Sequence, residues 1–143
     1  MWTEFYSSHI TPEKLLSILE QGGDPNGYKG DNIMQPPLHM CCARREPIRM
    51  LEILLEHGAD PNLIHDRHSP LHLAARRGDV ERMRVLLRHG ANPDLPDTKG
   101  WTPLHLAFLF PEAVKFLIEY GADTGLETRN GETLANLLGK TEE

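Results

Sequence analysis

The triplet Pro-Leu-His begins at Pro37, at Pro70 and at Pro103, a spacing of 33 residues each time. A period of that length marks a stack of like units, each too small to bury its own apolar face. A glycine closes each unit, in "HGADPN" (Gly58), "HGANPD" (Gly90) and "YGADTG" (Gly121), with a degenerate earlier copy in "GGDPN" at Gly22 to Asn26. Proline suits the first turn of a helix, where its missing N–H costs nothing, and glycine suits the left-handed residue that ends one. The unit therefore reads as a short helix, a second helix ending at the glycine, and a turn. Thr11-Pro12, opening "PEKLLSILEQGG", obeys the same rule with Thr11 as the cap. The second helices carry Ile48, Leu51, Leu54 and Leu55, then Val80, Met83, Leu86 and Leu87, then Val114, Leu117 and Ile118, all at helical spacing.

Thr102-Pro103-Leu104-His105 completes the pattern, with Ser69 and Pro36 in the place of the threonine in the other two units. In this the chain resembles the ankyrin-repeat family, whose unit is a β-turn plus two helices with a T-P-L-H-x-A signature. The resemblance implies an all-α ankyrin-repeat solenoid of helix-turn-helix units with β-turn fingers. It further implies one domain over residues 1–143, with an amino-terminal cap repeat at 1–30, full repeats at 31–63, 64–96 and 97–129, and a truncated carboxyl-terminal cap at 130–143.

Departures from the repeat are local. The unit ending at Gly58 has one residue more between its proline and its glycine than the middle unit, and the unit ending at Gly121 has two fewer. Irregular turns are expected around Glu46-Pro47 and Phe110-Pro111. The finger between Gly58 and Pro70 lacks a turn glycine and carries "DRH" at its tip. Arg82 stands where the family has an aliphatic residue, and its stem is expected to run along the core.

Composition narrows the function. The chain has 15 Lys and Arg against 21 Asp and Glu, a formal net charge of -6, which argues against a general nucleic-acid binder. The start lacks a signal-peptide pattern and no apolar run is long enough to cross a bilayer, so the expectation is a cytoplasmic, monomeric protein without membrane association. Cys41 and Cys42 are adjacent, which rules out an ordinary disulfide framework between them and fits a reducing compartment.

The recurring histidines, His39, His72 and His105, are candidates for chemistry. In the family such a histidine ties turn to helix by hydrogen bonds, and stacked helices about 8–10 Å apart keep consecutive imidazoles from sharing one metal. His57 and His89 precede helix-ending glycines, where imidazole suits the negative end of the helix. His65 and His68 share a finger but lack a third ligand nearby in sequence. Cys41 and Cys42 occupy the places of Ala74 and Ala75, as small buried packing residues. No nucleophile elbow, phosphate-cradling glycine loop or zinc-binding helix motif is present, so neither catalytic residues nor a cofactor or metal are expected.

What remains is a surface. The resemblance implies that a partner protein binds through the concave face, made by the fingers and the first helices. The positions transfer as Ile33, Gln35, Asp66, His68, Lys99 and Trp101 on the fingers, and Arg44, Arg76, Arg77, Leu109 and Phe110 at the ends of the first helices. Trp101 and Phe110 have a second reading, as packing residues on a neighbouring finger and in a shortened turn. Residues 44–88 hold 9 basic against 7 acidic groups, and every cation is arginine, whereas residues 1–43 and 89–143 are net acidic. Arginine pairs with carboxylates in a bidentate fork, so a partner with an acidic surface is the expected complement. The expected function is a non-catalytic protein-interaction module, acting as adaptor or inhibitor. The alternatives are an immunity-type or regulatory subunit that masks the active site of an enzyme or toxin, and a metal- or redox-responsive regulator using the cysteines or the His65 finger.

Overall fold

A computed structural model of the chain describes residues 5, 6, 10–27 and 35–141. Eight helices follow one another among these residues: α1 (Pro12–Glu20), α2 (Pro37–Ala43), α3 (Ile48–Glu56), α4 (Pro70–Arg76), α5 (Val80–Arg88), α6 (Pro103–Leu106), α7 (Pro111–Glu119) and α8 (Leu134–Thr141). The first helices stack as one layer, α2 on α4, α4 on α6 and α6 on α8. The second helices stack as the other, α1 on α3, α3 on α5 and α5 on α7. The apolar stripes meet between the layers, where Leu15, Met50, Leu51, Leu54, Leu71, Met83, Leu86, Leu104 and Leu117 are fully buried.

Prolines open α1, α2, α4, α6 and α7. At the other end of each second helix the backbone turns left-handed, as at Gly58 (φ +91) and Gly90 (φ +94), a conformation a Cβ disfavours. His57 and His89, one residue earlier, direct ring Nδ1 onto the carbonyls of Ile53 (2.8 Å) and Val85 (2.9 Å). The Ile53 carbonyl also accepts the His57 N–H (3.1 Å), so each ring reinforces the last turn of its helix.

Two ladders lock each unit to the next, and both come from the repeated motif. His39 Nε2 donates to the His68 carbonyl (2.8 Å), His72 Nε2 to that of Trp101 (2.9 Å) and His105 Nε2 to that of Leu126 (2.9 Å). His39 and His72 thus bind a first helix to the finger of the following unit, and His105 binds the turn that leads out of its own unit. Along the glycine turns, Asn26 accepts from the Asp60 N–H (2.7 Å), Asn62 from that of Asn92 (2.7 Å), and Asp94 from that of Asp123 (2.8 Å).

The irregular units differ where the count of residues differs. Arg45 is held at φ +55 where the middle unit has Gly78 at φ +66, and the extra residue follows it, Glu46-Pro47 standing where the middle unit has only Asp79 before its second helix. Arg82 secures that turn from the next layer. It is buried, pairs with Asp79 at 2.8 Å, and donates to the carbonyls of Cys41 (3.3 Å) and Glu46. Its head therefore ends on backbone and a carboxylate instead of reaching water. In the unit two residues short, α6 is reduced to a single turn, and the Phe110 ring lies over Gly78, where a Cβ would come within 2.6 Å of it.

Candidate functional site

The fingers decide which side chains the candidate surface presents. In the third, the Asp97 N–H donates to the Trp101 carbonyl (2.8 Å), and Asp97 Oδ1 accepts from the N–H groups of Lys99 (2.8 Å) and Trp101 (2.9 Å). One buried carboxylate thereby sets the tip. In the second, His65 and His68 pair through their backbones, 2.9 and 3.1 Å, around a two-residue tip. That tip requires Asp66 at φ +47 and Arg67 at φ +76, left-handed positions taken without glycine. Aspartate tolerates this conformation, but arginine does so only with strain.

His68, Arg76, Lys99 and Trp101, from two fingers and the end of α4, line one cavity of about 330 Å³ together with Arg67, Asp97 and Leu106. Asp97 Oδ2 has no hydrogen-bond partner, yet its side chain is almost wholly buried. It lies 3.8 Å from Arg67 Nη2, close enough for attraction by that cation, and 3.8 Å from His68 Nε2, both too far for a hydrogen bond. His68 Nδ1 is engaged by the Asp66 carbonyl (3.2 Å), so in the neutral ring Nε2 carries a lone pair and offers Asp97 no proton. Burial, and then the neighbouring Arg76 cation, lower the His68 pKa, while Asp97 opposes them. Trp101 is half-buried, its ring set edgewise to His105 at 6.0 Å.

The remaining predicted residues lie outside this cavity. Gln35 is exposed and its carbonyl accepts from the Tyr6 hydroxyl (2.7 Å). Arg44 and Arg77 are the C-cap residues of α2 and α4, the first exposed and the second half-buried. Asp66 is exposed at its finger tip. Leu109 and Phe110 are 61% and 38% exposed, the second through its packing on Gly78. Ile33 lies outside the described residues. Sequence reasoning passed over Arg67, Asp97 and Leu106. A signal existed for Asp97, whose "DTKG" places an acidic side chain at the start of a glycine turn.

The other chemical candidates are absorbed by the architecture. His72 Nδ1 faces the Ser69 hydroxyl (2.7 Å) and His105 Nδ1 that of Thr102 (2.9 Å), each closing a capping box. His39 has Pro36 in that place and its Nδ1 is unpartnered, and burial drives its pKa down to about 4. Cys41 and Cys42 are fully buried, and burial pushes the Cys41 thiol up strongly and the Cys42 thiol up to about 12. Among the described residues no helix is long and apolar enough to cross a membrane.

Comparison with known proteins matches the geometry. A family model of ankyrin repeats (3 copies) fits residues 38–128. The chain is 36% identical to the human (Homo sapiens) ankyrin repeat and MYND domain-containing protein 1, over 59% of this chain. The match spans about a tenth of that relative's length, 10%.

Proposed function

Because the chain belongs to the ankyrin-repeat family, whose repeats are in general non-catalytic protein-interaction modules, we propose that it binds a partner protein through its fingers and first helices, as adaptor or inhibitor. One observation carries the choice of surface. His68, Arg76, Lys99 and Trp101, distant in sequence, converge on one cavity. Aromatic and arginine side chains dominate the energetics of protein interfaces, and here they stand on a frame already held by hydrogen bonds. A surface fixed in advance loses little conformational entropy on binding. The untested members of the surface are Ile33, Gln35, Arg44, Asp66, Arg77, Leu109 and Phe110.

The test is isolation of the partner from the native cell, followed by titration against variants. Trp101→Ala and the double change Arg76→Ala/Arg77→Ala are expected to weaken partner binding, by about 2 kcal/mol or more where a hot spot is removed. The melting temperature should stay close to that of the parent. Arg88→Ala, exposed on α5, should bind like the parent. Equal binding by all of them would move the site off this surface.

A further inference from the structure

We propose that the cavity between the second and third fingers seats an acidic side chain of a peptide, with an apolar neighbour of that residue against Trp101 and Leu106. This rests on the protein-binding reading above and names the chemistry of the ligand. Three permanent cations, Arg67, Arg76 and Lys99, stand against a single carboxylate, Asp97, so the cavity carries an uncompensated positive charge. Arg67 is drawn to Asp97, whereas neither Arg76 nor Lys99 has a carboxylate within 4.0 Å among the described residues.

Asp97 acts as a positioning residue. Its Oδ1 fixes the third finger, while its orphaned Oδ2 lies 3.8 Å from Arg67 Nη2 and from His68 Nε2. Arg67 strengthens the case, because glycine would serve its left-handed turn position with less strain. The arginine stands where the backbone does not favour it. Its cation is the feature that glycine would lack.

The class of anion follows from the surroundings. Residues 1–43 and 89–143 are net acidic, and the chain as a whole carries -6. A polyanion laid across the molecule would meet those flanks, whereas one or two carboxylates entering the cavity would feel chiefly the local cations, within a Debye length of about 10 Å. Trp101 and Leu106 beside those cations favour a peptide that alternates acidic and apolar residues over a free inorganic anion.

The experiment is fluorescence anisotropy of a dye-labelled peptide alternating glutamate and leucine, with the full chain at low salt. Its glutamine counterpart, a phosphoserine counterpart and a single-stranded oligonucleotide serve as comparisons. The glutamate peptide should bind about tenfold or more tightly than the glutamine peptide, and lose that margin as salt rises. Arg76→Glu/Lys99→Glu should abolish the preference, and Arg88→Glu on α5 should leave it intact. Arg67→Gly should weaken binding several-fold while raising the melting temperature, a pair of changes that misfolding cannot produce. Equal binding of glutamate and glutamine peptides, an unchanged preference in Arg76→Glu/Lys99→Glu, or tighter binding of the phosphopeptide or oligonucleotide would overturn the proposal. If the charge-reversed protein still takes the cellular partner while Trp101→Ala does not, the seating of an acidic side chain fails and the protein-binding surface stands. If neither variant affects partner binding, the surface itself is misplaced.

Discussion

The middle repeat and the two that flank it share a Pro-Leu-His start and a glycine end, yet they are not equally well finished. In the middle one, Ser69 caps α4, Ala74 and Ala75 pack beneath it, and Met83 and Leu87 of α5 are buried by neighbours on both sides. The repeat before it has Pro36 for the cap and two cysteines for the alanines. The repeat after it has Val114 half-buried at the register of Met83, and Ile118 42% exposed at that of Leu87, which is 4% exposed. Phe108 stands where the middle repeat has Ala75 and the first has Cys42. With Pro111, Val114, Ile118 and Leu138 it lines an open apolar groove. The same pattern of residues is therefore worth different amounts of burial, because each layer depends on the layers that cover it.

The sharpest test of that difference is truncation of one apolar side chain in each of the two layers. Leu86→Ala, fully buried in the middle of the stack, should destabilise by about 2–5 kcal/mol, since the layers above and below leave a cavity that cannot close. Ile118→Ala, at an equivalent apolar stripe in the last repeat, should cost about 1 kcal/mol or less, because much of that side chain already meets water. Urea melts of the two variants measure both. Similar losses would mean that the last layer is covered in solution.

Protonation separates the repeats next. His39 has a folded pKa of about 4 against 6.5 for the unfolded side chain, so between these values the unfolded chain binds more protons. Its contribution is complete above pH 6.5 and is lost as the pH falls towards 4, about 3 kcal/mol across the window. His39→Gln, which keeps an N–H donor without titrating, should flatten the acid limb of a stability–pH curve. An unchanged limb would assign the acid sensitivity to other groups. His72 is lowered in the same direction, by burial above all.

The missing cap gives a smaller effect of opposite sign. Pro36 has neither the hydroxyl nor the N–H that Ser69 offers His72 and Thr102 offers His105. Pro36→Thr supplies both to the orphaned His39 Nδ1 and should stabilise by about 1 kcal/mol. A neutral result by thermal melting would show that the turn before α2 does not adopt the geometry of its neighbours.

The repeat and the helix boundaries at proline and glycine were legible because each depends on a local rule about φ, capping or period, and the structural role of the histidines came from the resemblance to the family. The partner of each histidine was not legible. The carbonyl belongs to the next unit's finger for His39 and His72 but to the turn at Leu126 for His105, because the count of residues in between changes which atom stands there. Arg82 shows the same limit: its position predicted a stem along the core, but its partners, Cys41 and Glu46, lie across the stack in the lengthened turn. At the candidate surface, family positions supplied His68, Arg76, Lys99 and Trp101. They did not supply Arg67 or Asp97, because the shortened second finger alters which residues face each other.

The smallest effect is expected where the first and middle repeats differ only in a sulfur atom. Cys41 and Cys42 are fully buried in α2, at the places of Ala74 and Ala75 in α4, and Arg82 reaches the Cys41 carbonyl, which any residue supplies. Cys41→Ala/Cys42→Ala removes two small groups from a layer whose neighbour is already built on alanine. The expected cost is about 1 kcal/mol or less. The native thiols should be inert as well, because burial disfavours the thiolate that reacts. A disulfide reagent should therefore modify neither cysteine in the folded chain and both in denaturant. Rapid modification of either without denaturant would show that α2 opens readily. The lengthened turn that Arg82 braces would then be the weak joint between the first and middle repeats, and Arg82→Ala should make the labelling faster still.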